Sequence, residues 1–377
     1  MAETAPPPAT VVLSAGAPNS PLMAGALCAV YDQGKRFNHV YTSGAGALIG
    51  LLYIAPRGKT PGQALRDVRL IGVSDAIARF FPLGYKAFFK PGPWTRPFHR
   101  WGQIFKLGGR LDRPQDAYKR LYNDWIDLWV SAMTPTTLTY RSKAVCAPFP
   151  LLDDWIDFSK LSVFDGEFYM NAYNISKNRM DQFVYKPALT RYILPIPGPK
   201  GNPAQFFYAA LAYPFLYPPV ALNGDLYIEG ADRDPLNLAP LASPEYCGRR
   251  GQAQRTVVLL DVLGCLEDAL VREPLNVWDA WGISIMAPVV SLAQKNLQAF
   301  QLACGMEGER QEHTVRTRDG IELRFVKVGF DIPKAHLTRV LDWSYSNFTT
   351  LWDIGYQAGL NLCMSHGHCL PNRVSDA

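Results

Sequence analysis

Between Ala76 and Leu111 the chain has no aspartate or glutamate, while Arg79, Lys86, Lys90, Arg96, Arg100, Lys106 and Arg110 all fall there. That stretch exceeds the formal net charge of +5 carried by all 377 residues. Nothing reads as a long polar linker, and an apolar content of 48% can bury a large core, so one big domain is expected. Long hydrophobic runs are missing as well. Ala47–Pro56 is uncharged but covers only about half of a membrane span, and the opening MAETAPPPAT lacks a basic region leading into an apolar one, so no export segment is expected. Cysteine numbers seven, scattered without framework spacing at 28, 146, 247, 265, 304, 363 and 369. This fits reduced core thiols and a cytoplasmic location. No G-x-x-x-x-G-K-[ST] and no G-x-G-x-x-G occurs, which argues against nucleotide enzymes. His39, His99, His313 and His336 stand apart, without H-E-x-x-H spacing, and read as ordinary surface or core residues.

What is present begins as an alternation of strands and helices. Thr10–Ser14 reads as a buried strand, followed by a small-residue loop and a helix from about Pro21 to Gln33. A second strand, Phe37–Tyr41, runs into a turn and an apolar helix over Leu48–Ala55. That spacing predicts a parallel α/β sheet. Thr60-Pro61 starts another helix with proline at its first position. From about 76 to 165 the chain is Pro-punctuated and aromatic, with one helical stretch near Gln115–Met133, as expected of a cap or insertion over the sheet. Strands are expected at Glu167–Ile175, Leu226–Glu229 and Thr256–Asp261, and helices at Pro203–Ala212, Val277–Met306 and Leu337–Leu362. Residues 1–9 are expected to be disordered and 363–377 to form a flexible tail.

The most informative stretch is Val40–Leu48, VYTSGAGAL. A strand, a tight cluster of Gly, Ala and Ser, then an apolar helix is the arrangement that lifts a nucleophilic serine out of a strained turn. Here the turn reads Thr42-Ser43-Gly44-Ala45-Gly46.

Four blocks resemble the patatin-like family of lipid acyl hydrolases. Leu13–Leu27 (LSAGAPNSPLMAGAL) is similar to the family's glycine-rich oxyanion loop, L-S-G-G-G-A-[RK]-G, and Thr42–Leu48 to its elbow, G-T-S-A-G-A-L. Tyr213–Leu241 follows the pattern of a Pro-rich turn, a glycine and then Y-x-D-G-[GA], and Trp343–Gly359 resembles the closing helix. The resemblance implies a three-layer α/β fold with a mostly parallel central sheet, a patatin-like domain over about 10–362, and hydrolysis of lipid acyl esters with no cofactor. It further implies a serine nucleophile, an aspartate base and an oxyanion site of backbone amides.

Each of those parts is altered. Gly44 falls at the nucleophile position, with Ser43 one residue early; Glu229-Gly230-Ala231 replaces Asp-Gly-[Gly/Ala]; and Ala15, Gly16 and Ala17, followed by Pro18, keep one glycine of three. Proline donates no amide. Glu229 reads either as a relic of the base or as a surface acid at a strand end, with Asp232 as an alternative. Three functions therefore stay open: a non-catalytic protein that binds a lipid or fatty-acyl chain, a hydrolase using Ser43 and Glu229, and a scaffold with a protein partner.

The basic stretch is interleaved with aromatics, among them Phe88, Phe89, Trp94 and Trp101 beside Arg96 and Arg100. That mixture suits a lipid headgroup boundary, and so a peripheral contact at the inner membrane surface, or equally an insertion whose rings face the core. No nucleic-acid motif accompanies it. Cys363, His366, His368 and Cys369 offer four donors in a short tail, a poor cage for zinc, so no metal is expected.

Overall fold

The computed structural model describes residues 8–80, 96–108, 113–133, 154–185, 203–214, 216–242, 254–306, 308, 311–316 and 322–373. The chain order begins β1 (Ala9–Leu13), α1 (Ser20–Asp32), β2 (His39–Thr42) and α2 (Ala45–Ile54), with each strand feeding a helix. Then come α3 (Pro61–Asp67), α4 (Asp75–Phe80), α5 (Arg96–Ile104) and α6 (Ala117–Met133) before the chain returns to the sheet. The second half supplies β3 (Glu167–Asn174), β4 (Arg179–Tyr185), α7 (Pro203–Ala210), β5 (Val220–Leu222), β6 (Asp225–Glu229) and β7 (Gln254–Leu260). It closes with α8 (Val277–Ala303), β8 (Glu312–Arg316), β9 (Glu322–Val328) and α9 (Tyr345–His366).

These strands form one mixed sheet in the order β5-β6-β3-β2-β1-β7-β9-β8, with β4 paired to β3 off that path. The centre is parallel: β1 lies between β2 and β7, β2 continues to β3, and β7 continues to β9. Both margins turn antiparallel. Every residue of β1, Ala-Thr-Val-Val-Leu, is buried, the apolar pattern of a strand covered by helices on both faces. The α/β architecture expected from the alternation is therefore present, and helices flank the sheet.

Local signals set several boundaries. Thr60 caps α3, its side chain accepting from the Gln63 amide at 3.2 Å while Gln63 Oε1 accepts from the Thr60 amide at 3.1 Å, with Pro61 opening the helix. α9 starts later than expected, because Lys334–Arg339 forms a short 3-10 turn and Ser344 caps the new helix through the Asn347 amide. It then packs along α1 at backbone distance. A Cβ on Gly355 would overlap the Leu22 carbonyl, and one on Gly25 the Trp352 carbonyl. Only glycine permits that approach.

The segment from Cys363 onward, expected as a mobile tail, is part of the fold through Arg373. The helix runs to His366, Leu370 is buried, the Arg36 amide donates to the Pro371 carbonyl at 3.0 Å, and the Arg373 guanidinium sits 4.0 Å over the Tyr31 ring. Cys369 and Leu370 give this segment apolar surface to bury. Its histidines have separate partners: His366 faces Glu312 at 3.0 Å, while His368 lies 3.3 Å from Arg324. Of the expected cap, α4, α5 and α6 are described; Phe88, Phe89 and Trp94 lie outside the described residues.

Candidate functional site

β3 is long enough to hold two strands end to end on one edge. β4 pairs along the whole of Phe168–Asn174 on the other edge, so β2, opposite Glu167–Met170, and β6, opposite Ala172–Asn174, share what remains. β2 runs parallel to β3 and β6 antiparallel. Their C-terminal ends therefore meet head to head: Thr42 lies opposite Met170 and Glu229 opposite Ala172, with Asn171 between. The turn after β2 and the carboxylate at the end of β6 are brought together by this pairing.

At the turn, Gly44 has φ 49° and ψ −126°, a positive-φ backbone that side-chain-bearing residues rarely adopt. A Cβ built there would overlap Glu229 Oε1, lie 3.0 Å from Glu229 Cδ and 3.3 Å from the Ala15 Cβ. The Glu229 carboxyl thus fills the volume that a side chain at position 44 would enter. Read from sequence as a relic or a surface acid, Glu229 is in fact only 8% exposed. Burial, and secondarily the charge of Asp232, push its pKa up to about 8. Among the described residues no side chain pairs with it. Asp232 is exposed on the following 3-10 turn.

Ser43 points into a different network. It is buried, and its Oγ donates to the Asp234 main-chain carbonyl at 2.8 Å, an oxygen that also receives Asn171 Nδ2 at 2.6 Å. Asn237 Nδ2 donates to the Thr42 carbonyl at 3.0 Å, and the buried Asp234 carboxylate receives the Asn237 amide and Asn296 Nδ2 at 2.9 and 3.0 Å. This buried polar layer braces the turn from behind. The acid-rich GADRD, Gly230–Asp234, reads in sequence as a solvated turn, yet Asp234 is buried; no local pattern marked Asn171, and the pairing of β2, β3 and β6 joins it to that turn.

The loop after β1 lies beside the turn. The Ala15 amide donates to the Pro235 carbonyl at 2.8 Å, and Gly16 takes a left-handed conformation at φ 116° before Ala17 opens a short 3-10 turn. Among the described residues the Gly16 and Ala17 amides have no acceptor. Ala15, Gly16 and Ala17 share with Glu229 and Ala45 the wall of one cavity of ≈ 1280 Å³. The rest of its lining is mainly apolar and aromatic, including Leu48, Trp155, Tyr213, Met286 and Trp343, drawn from separate elements. Sequence reading found the floor of this cavity and missed its walls.

The exposed aromatics of α5 and α6 lie elsewhere. Trp101 is 62% exposed, Arg100 is exposed, and Arg96 opens the same helix, α5. Beside it on α6, Tyr118, Trp125 and Trp129 are also exposed, a stripe at helical spacing.

The family model of patatin-like phospholipases matches residues 11–242. No curated protein matches the chain. Among solved structures, the chain is similar to VipD from Legionella pneumophila, with 13% identity and a TM-score of 0.35 over 92% of this chain and 67% of that one. It is also similar to human GIVD cytosolic phospholipase A2 in complex with methyl gamma-linolenyl fluorophosphonate, with 12% identity and a TM-score of 0.38 over 95% of this chain. The chain spans 58% of that enzyme's length.

Proposed function

The chain belongs to the patatin-like phospholipase family, and on that premise we propose that it holds a lipid or fatty-acyl ligand in the cavity above Gly44 without cleaving it. One observation carries the reading: at the tip of the turn the nucleophile position is a glycine, and the Glu229 carboxyl occupies the space of the missing side chain. Loss of a serine nucleophile alone costs on the order of a million-fold in turnover. Ser43 is the only hydroxyl of the turn after Thr42, and its Oγ is engaged behind the turn by the Asp234 carbonyl. The cavity, at ≈ 1280 Å³, exceeds the ~300–1,000 Å³ of ordinary small-molecule sites and has room for an acyl chain. The exposed rings of α5 and α6, next to Arg100, support collection of that ligand at a membrane surface.

Native mass spectrometry of the purified chain, together with fatty-acid release from p-nitrophenyl esters and phospholipids, tests the proposal. We expect retained lipid and no release. Release that Ser43→Ala abolishes, accompanied by fluorophosphonate labelling of Ser43, overturns it in favour of a hydrolase using Ser43 and Glu229.

A further inference from the structure

Two acids meet at the cavity floor. Glu229 is buried there with no side-chain partner among the described residues, and Asp232, on the next turn, lines the same cavity. Tyr213 faces both from the loop after α7, and its hydroxyl is pushed up to about 12 by burial and then by those two acids. The β1 loop and the elbow contribute only uncharged residues, Ala15, Gly16, Ala17, Pro18 and Ala45. Two arginines line the cavity, Arg79 on α4 and Arg339 on the 3-10 turn before α9. Arg339 is already shared between Asp342 at 3.3 Å and Asp75 at 3.8 Å, both of which are lining acids themselves. Asp279, facing in from α8, is neutralised from behind by a bidentate pair with Arg272 at 2.6 and 2.7 Å. Among the described residues the floor therefore carries two carboxyls, with Arg233 acting on Asp232 and no cation acting on Glu229, under walls that include Trp155, Tyr217, Trp281 and Trp343.

We propose that the cavity selects a cationic amphiphile, a long-chain amine or trimethylammonium compound whose head sits against Glu229 and Asp232 with its alkyl chain along the aromatic walls. This rests on the reading of the cavity as a non-cleaving acyl site. An ammonium supplies the counter-charge that the protein withholds from Glu229, and a buried unpaired carboxylate is costly without one. Aromatic faces attract the same head group through their quadrupoles. An anionic head finds the unpaired Gly16 and Ala17 amides but must also approach two acids.

The competing chemistry is a neutral Glu229 acting as a hydrogen-bond donor to an ester or alcohol, and pH separates the two. Glu229 titrates near 8, so a ligand that needs its anion binds about tenfold tighter at pH 9 than at pH 7 and releases a proton on binding at pH 7. A ligand that needs the acid shows the reverse.

Calorimetric titration of the full chain with decyltrimethylammonium, decanol and decanoate, at pH 7 and pH 9, decides the matter. We expect the cation to bind at least tenfold tighter than the alcohol at pH 9, with the stated rise from pH 7. Glu229→Gln should weaken cation binding at least tenfold and flatten its pH dependence, and Glu229→Asp should retain that dependence. Equal or tighter binding of decanol or decanoate overturns the inference but leaves the acyl site standing. Failure of all three probes to bind overturns both. A pH rise that persists unchanged in Glu229→Gln also overturns the assignment to Glu229.

Discussion

The Ser43 hydroxyl and the Asp234 main-chain carbonyl are hydrogen-bonded at 2.8 Å, behind the turn that Gly44 tops. A hydroxyl has one proton to give, and this one is given to the scaffold. Ser43→Ala should therefore behave as a structural change. The carbonyl keeps its second donor, Asn171, so the loss should be about 0.5–1.5 kcal/mol in urea unfolding, with ligand retention unchanged.

A side chain at position 44 meets two obstacles, a positive-φ backbone and the Glu229 carboxyl. Gly44→Ala should destabilise by about 1–3 kcal/mol for the backbone alone. Glu229→Asp withdraws the carboxyl by one methylene, so the double variant should be more stable than the sum of the single changes, by about 0.5–3 kcal/mol. A double-mutant cycle followed by thermal unfolding measures that coupling. Strict additivity would separate the two residues.

The raised Glu229 pKa makes stability depend on pH in a definite direction. Between the ordinary value of 4.5 and about 8 the folded chain holds a proton that the unfolded chain has released. The contribution is complete below about 4.5 and is lost as pH rises through about 8. Glu229→Gln should match the parent near pH 4 and exceed it at pH 9 by on the order of 5 kcal/mol, at about 1.4 kcal/mol per pKa unit. Unfolding midpoints of the two proteins across that range provide the check.

The exposed rings of the cap predict a surface effect. Trp125→Ala and Trp129→Ala on α6, or Trp101→Ala on α5, should each lower binding to vesicles containing anionic phospholipid by about tenfold, the equivalent of about 1.4 kcal/mol, without shifting the unfolding midpoint. Sedimentation with such vesicles gives the first quantity and calorimetry the second. A fall in the midpoint would mean that these rings pack against the fold.

Much of the scaffold was written locally. The succession β1-α1-β2-α2 follows from short β-branched runs broken by small residues, and the elbow from its Gly-Ala cluster. Glu229 was legible as a strand end but not as a buried acid, because its burial comes from β2 and β6 meeting across β3. The strands β4, β8 and β9 escaped notice for another reason. Segments such as Glu322–Val328, ELRFVKV, carry charges at 322, 324 and 327, and their pairing with neighbours is what makes them strands. The walls of the cavity escaped too: Trp155, Trp281 and Trp343 sit far apart in the chain, with no motif to announce them.

The contact of α1 with α9 through Gly25 and Gly355 bears on where the smallest autonomous unit ends. The family model matches residues 11–242, yet β1 is zipped along its full length to β7, and α1 lies flush against a helix that begins at Tyr345. Cutting the chain at 242 would turn its innermost strand into an open edge and strip the wrapping from the helix that follows the β1 loop. The matched portion therefore depends for its solidity on chain that lies beyond residue 242.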